Sequence, residues 1–111
     1  MLNRDEIRQR LAVSPVEVEV ESLGGAVFAR QLTLTQRREL AAKESTDEPF
    51  DSEVWLVMHG VCTESGEPLF QNGDHEWLAK HANGALVTDL AKAVLEANGW
   101  TGDAVEEAEG N

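Results

Sequence analysis

At 111 residues the chain fits one domain, and its 41% apolar and 27% charged content is that of a globular protein with its own core rather than of a disordered or membrane-spanning one. Twenty-one Asp and Glu against nine Lys and Arg give a net charge of −12, a field that repels phosphate backbones and anionic bilayers and so argues against nucleic acid and membrane as partners. A single cysteine, Cys62, excludes an internal disulfide and suits a reducing cytoplasm, and the charged start at Arg4, Asp5 and Glu6 is not that of a secretory signal.

Asn3 in the N-cap position, with Asp5 and Glu6 in the first turn and Arg8 and Arg10 in the last, predicts a short helix over 3–11, with Ile7 and Leu11 as its inner stripe. Pro15 closes that segment. From Val16 to Glu21 valine and glutamate alternate strictly, the period of a strand with one buried face. Ser22-Leu23-Gly24-Gly25 then turns the chain, and Ala26–Arg30 returns as the second strand of a hairpin. A two-stranded hairpin is marginal in water, so this one must pack on helices or join another sheet.

Thr33 and Gln36 have capping-box spacing, which starts a helix running to about Lys43, with Leu34, Leu40 and Ala41 as candidate inner positions. After a polar loop, Asp51-Ser52-Glu53 opens an apolar stretch through Cys62 whose β-branched content allows a strand but whose acidic start and length favour a further helix. Glu64–Pro68 is a turn, Leu69-Phe70 a short extended piece, and Asp74 caps a brief helix carrying Trp77 and Leu78. The last helix spans about 85–98, with Leu86, Leu90, Val94 and Ala97 on one face and Asp89, Lys92 and Glu96 as surface charge pairs. Asn98-Gly99 ends it in a left-handed cap, with Trp100 placed to contact Leu95. Residues 101–111 carry four acids, no base and two glycines, and are expected to be a disordered tail. The sum is an α+β domain over 1–100, one β-hairpin packed with four to five short helices, followed by the acidic tail at 101–111.

Candidate chemistry is sparse. His59 and Cys62 have a metal-ligand or nucleophile–base spacing, but a structural zinc site needs a second tight pair, and neither His75 nor His81 supplies one. No helix N-terminus or third group is identifiable to activate the thiol, so Cys62 reads as a small packed hydrophobe. Gly24-Gly25 leads into a strand rather than a helix, which fits a hairpin turn and not a phosphate loop. Catalytic residues, metal ligands and cofactor are all expected to be absent. The tryptophans Trp55, Trp77 and Trp100 read as core or cap residues, with an interface anchor as the competing role. The apolar run at 54–58 is either central core or a subunit contact, so self-association is one expectation.

Val18-Glu-Val20, Leu23-Gly24-Gly25, Val27, Arg30-x-Leu32-Thr33 and Arg37-Arg38-Glu39, followed by Glu64-x-Gly66-x-Pro68-Leu69-Phe70, Asp74 and Asn98-Gly99-Trp100, together resemble the tail assembly chaperones of long-tailed bacteriophages and prophages. The resemblance covers about residues 16–100, and the chain departs from it in carrying Glu21 and Leu23 where relatives have proline and tryptophan. It implies a non-enzymatic protein of the host bacterial cytoplasm that binds and solubilises the tape measure protein and helps tail tube subunits assemble around it. Such a protein is left out of the mature virion. A longer frameshifted form of the chain itself is a further partner the resemblance implies. The partner surface is expected on the hairpin and the 54–62 segment, at Val27, Phe28, Trp55, Val57, Met58 and Val61. A structural tube or connector subunit, and a small acidic inhibitor or adaptor, are the alternative readings.

Overall fold

A computed structural model describes residues 1–100. The elements run α1 (Arg4–Leu11), β1 (Pro15–Val20), a 3-10 turn (Glu21–Leu23), β2 (Gly25–Arg30), α2 (Leu34–Glu44), α3 (Ser52–Gly60), β3 (Val61–Cys62), α4 (Asp74–Lys80) and α5 (Gly84–Ala97). The domain is α+β, as the alternation and capping signals require. The tail expected at 101–111 lies outside the described residues. No helix among those described is long and apolar enough to cross a membrane.

The hairpin forms where the alternation places it, with Val18 opposite Val27 and Glu17 opposite Phe28. Its turn tightens into one 3-10 turn, and Gly24 takes the left-handed conformation (φ 76°) that releases the chain into β2. The sheet then gains a strand at the end of the stretch for which helix is the preferred reading. β3 pairs antiparallel with β2, making a three-stranded sheet in the order β1-β2-β3. The apolar stretch at 54–62 is therefore not one helix: α3 ends at Gly60, and the chain turns extended at Val61 (φ −76°, ψ 127°). Beyond it Pro68 bridges to Cys62, and the Leu69 amide donates to the Val61 carbonyl oxygen at 3.1 Å.

Cross-strand partners share a face, so the register divides the sheet. Val18, Val27, Ala29 and Val61 point inward, against α3 and α5. Glu17, Phe28 and Cys62 line the other side. The inner layer continues through Val54, Trp55, Leu56 and Val57 of α3 and Val87, Ala91, Ala93 and Val94 of α5. Cys62 is buried as well, but outside that cluster.

α5 buries a face turned from the expected one. Val87, Ala91 and Val94 are inward, while Leu86 and Leu90 are only half-buried. The reason is close approach: a Cβ on Gly60 would lie 2.6 Å from Val94 Cγ2, so the end of α3 rests directly on α5 and small residues must face it. The helix closes in a Schellman motif, Trp100 N–H donating to the Leu95 carbonyl at 2.9 Å and Gly99 N–H to that of Glu96 at 3.0 Å. The expected charge pairs along it do not form. Asp89 instead accepts from the Ser22 hydroxyl at 2.6 Å, and among the described residues the one ion pair is Lys80–Glu76.

Two other expectations change. α1 forms with its Asn3 cap but buries no residue, leaving Ile7 and Leu11 exposed, because no other element extends to cover it. In α2 only Leu40 is buried, while Leu34 and Ala41 face outward; the capping box of Thr33 and Gln36 is complete.

Candidate functional site

The residues expected at a partner surface divide by depth. Trp55, Val57 and Val61 are core: Val57 is wholly inaccessible, and Trp55 and Val61 are nearly so. Trp55 is held by a stack on His59, ring centroids 4.0 Å apart. The His59 Nδ1–H donates to the Trp55 carbonyl oxygen at 2.8 Å, since a carbonyl oxygen can only accept. Val27 and Met58 are half-buried and pack on the core. Phe28 is half-exposed on the outer side of the sheet, between Glu17 and Cys62. The six do not form one surface. Trp77, expected to be packed, is half exposed on α4, where its neighbour Leu78 takes the buried position instead.

Arg30 organises that outer side. Its guanidinium donates to the His59 carbonyl at 3.2 Å and to the Gly66 carbonyl at 3.3 Å, tying the end of α3 and the 63–67 turn to β2. Burial pushes the Cys62 thiol up from its ordinary value of 9.0, and the nearby Arg30 charge offsets part of that rise. The thiol is thus a poor nucleophile at neutral pH. Among the described residues no three His, Cys, Asp or Glu side chains come together to hold a metal ion.

A second polar knot joins the end of α5 to the segment between β2 and α2. The Leu32 amide donates to Asn98 Oδ1 at 2.7 Å, and Asn98 Nδ2 donates to the Val94 carbonyl at 2.7 Å and the Arg30 carbonyl at 3.4 Å. Arg37 lies over the Trp100 ring, 4.4 Å from its centroid. Sequence signals for each piece were local: a cap at Thr33, a glycine at 99. Their meeting is not local, and nothing in the spacing announces it.

A concavity of the surface was also invisible to sequence. α2, the loop before α3, α3 itself and α5 form a groove of about 680 Å³ whose floor includes Leu40, Leu56 and Leu95 and whose lining includes the Phe50 and Trp100 rings. Lys43 sits over Phe50, 5.8 Å from its centroid, as Arg37 sits over Trp100. Glu44, Glu48, Glu53 and Lys92 add further charge to the lining. An apolar floor with polar edges takes an apolar side-chain row better than a small polar substrate. No protein-family model, no curated protein and no solved structure matches this chain.

Proposed function

We propose that the chain is a non-enzymatic tail assembly chaperone of a long-tailed phage or prophage, acting in the host bacterial cytoplasm and absent from the finished virion. Its partner is the tape measure protein, which it keeps soluble while tail tube subunits assemble. The observation that supports this reading is the meeting of the motif segments on which the resemblance rests. Arg30 of the Arg30-x-Leu32-Thr33 step holds Gly66 of the Glu64–Phe70 segment, and Asn98 of the terminal Asn98-Gly99-Trp100 holds Leu32. Segments far apart in sequence thus behave as one structural unit, as motifs of a single family should.

The charge is consistent with the same role. A long helical partner exposes apolar stripes that self-associate; a small domain that covers them while carrying −12 adds repulsion between the resulting complexes. Co-expressed with the tape measure protein of its own phage, the chain keeps that protein in the soluble fraction and co-purifies with it in several copies. Failure in both the short and any frameshifted form refutes the proposal. Presence of the chain in purified virions favours the structural-subunit reading instead.

A further inference from the structure

Two unmatched surfaces of this chain are complementary. The first is α1. None of its residues is buried, and Ile7 (42% exposed) and Leu11 (76% exposed) stand one turn apart on one face, with Leu2 (46% exposed) in the position that staples onto Ile7. At 3.6 residues per turn, Arg4 and Arg8 border one side of that stripe and Arg10 the other, while Asp5 and Glu6 fall on the back. Residues 1–11 carry three arginines against two acids, whereas residues 12–100 carry fifteen acids against six bases. α1 is a basic amphipathic arm on an acidic body.

The second surface is the groove between α2, α3 and α5. Its floor of Leu40, Leu56 and Leu95 is apolar and unfilled. Three cations line it: Arg37 and Lys43 are held over the Trp100 and Phe50 rings, and Lys92 stands exposed on α5. Glu44 and Glu48 are exposed and, like the three arginines of α1, make no ion pair among the described residues.

We infer that the groove is the seat of α1 from a second copy of this chain, and that two copies exchange arms reciprocally into a dimer. Ile7, Leu11 and Leu2 would enter the floor, and the arginines flanking them would meet Glu44 and Glu48. Reciprocal exchange satisfies both arms and both grooves in one closed, two-fold assembly. Apolar burial supplies the affinity, and the opposite charges set the register and discourage pairing of one acidic body with another. This inference is independent of the chaperone reading.

The test uses two variants of the full chain. Ile7→Asp/Leu11→Asp disables the arm without touching a buried residue, and Ala41→Arg blocks the groove from an exposed position on α2. Circular dichroism and thermal melting establish that both remain folded. In sedimentation equilibrium the wild type runs at about twice the 12.2 kDa of one chain, and each variant alone runs as a monomer. An equimolar mixture of the two variants recovers a heterodimer, because one intact arm then meets one intact groove. A wild type that is monomeric at every concentration overturns the inference, including the case in which α1 sits in its own groove. So does a variant that still dimerises. A mixture that stays monomeric overturns it as well, since an intact arm and an intact groove are then both present and do not meet.

Discussion

Gly60 is where the packing of this domain can be tested with one carbon atom. It is the last residue of α3, and the α3–α5 contact is the main helix–helix contact of the fold. In Gly60→Ala the new Cβ would lie 2.6 Å from Val94 Cγ2 and 3.0 Å from Val94 Cβ, and closer still to Cγ1. Carbon atoms settle about 3.5–4.0 Å apart, so the deficit is about 1 Å. Val94 is wholly buried and β-branched, and a valine in a helix has essentially one rotamer, so it cannot swing aside. α5 must move off α3, loosening the layer against the sheet. Overpacking of this kind costs about 1–3 kcal/mol, and the helix preference of alanine over glycine returns less than about 1 kcal/mol at a helix end. The expected net loss is about 1–2 kcal/mol, a fall in Tm of about 4–16 °C for a domain of this size. Urea denaturation followed by circular dichroism should show a lower midpoint at unchanged slope. Val94→Ala removes both colliding methyls. Alone it destabilises, but in the Gly60→Ala background it should cost at least about 1 kcal/mol less than it does alone. A Gly60→Ala protein as stable as the wild type, or strict additivity in the double mutant, refutes the close-approach account of α5.

Asn98→Ala strands the Leu32 amide and removes the side-chain link to the Val94 carbonyl, so it should lower stability by about 1–3 kcal/mol in the same urea assay; a change within about 0.3 kcal/mol would mean that solvent replaces both bonds freely. For Cys62, burial holds the thiol neutral past the pH at which the unfolded chain's thiol ionises, so its folded pKa is raised. Its contribution to stability is therefore complete below about pH 8 and is lost as pH rises through about 9 and beyond. Urea midpoints of the wild type should fall more steeply between about pH 8 and about pH 10 than those of Cys62→Ala, and parallel curves would sink the assignment.

Sequence and structure agree where a signal needs only three or four neighbouring residues. The Val-Glu alternation sets the face of β1, Gly24 the turn, Thr33 and Gln36 the entry to α2, and Gly99 with Trp100 the exit from α5. Disagreement begins where the deciding partner is distant. β3 has two residues, too few to show a period, and exists because Ala29 and Phe28 offer Val61 and Cys62 a strand to pair with. The buried face of α5 is rotated because Gly60 lies against Val94, not because leucines are less apolar than valine. Periodicity alone makes Ile7 and Leu11 an inner stripe; it finds a stripe but cannot say whether anything in the same chain covers it. The groove joins residues of α2, the loop before α3 and α5, which no window along the chain contains together.

The residues on which the proposed resemblance rests are not those best placed to touch a partner. Arg30 spends its donors on the His59 and Gly66 carbonyls, Asn98 spends its amide on Leu32, Val94 and Arg30, and Arg37 is laid over Trp100. Each is committed to joining one part of the domain to another, so a change at any of them should first appear as lost stability, with binding failing in proportion to the unfolded fraction. Phe28 on the outer sheet, Trp77 on α4, the apolar stripe of α1 and the exposed Glu44 and Glu48 carry no such internal duty. A substitution there that leaves the melting curve in place and still abolishes association acts on recognition itself. Arg30→Gln and Trp77→Ala make the contrast in one experiment. The first should lower Tm, because the His59 and Gly66 carbonyls lose a charged donor. The second should lower it by less, because about half of Trp77 already stands in water. If the order is reversed, Arg30 is free to face a partner, and the division between scaffold and surface drawn from these hydrogen bonds is wrong.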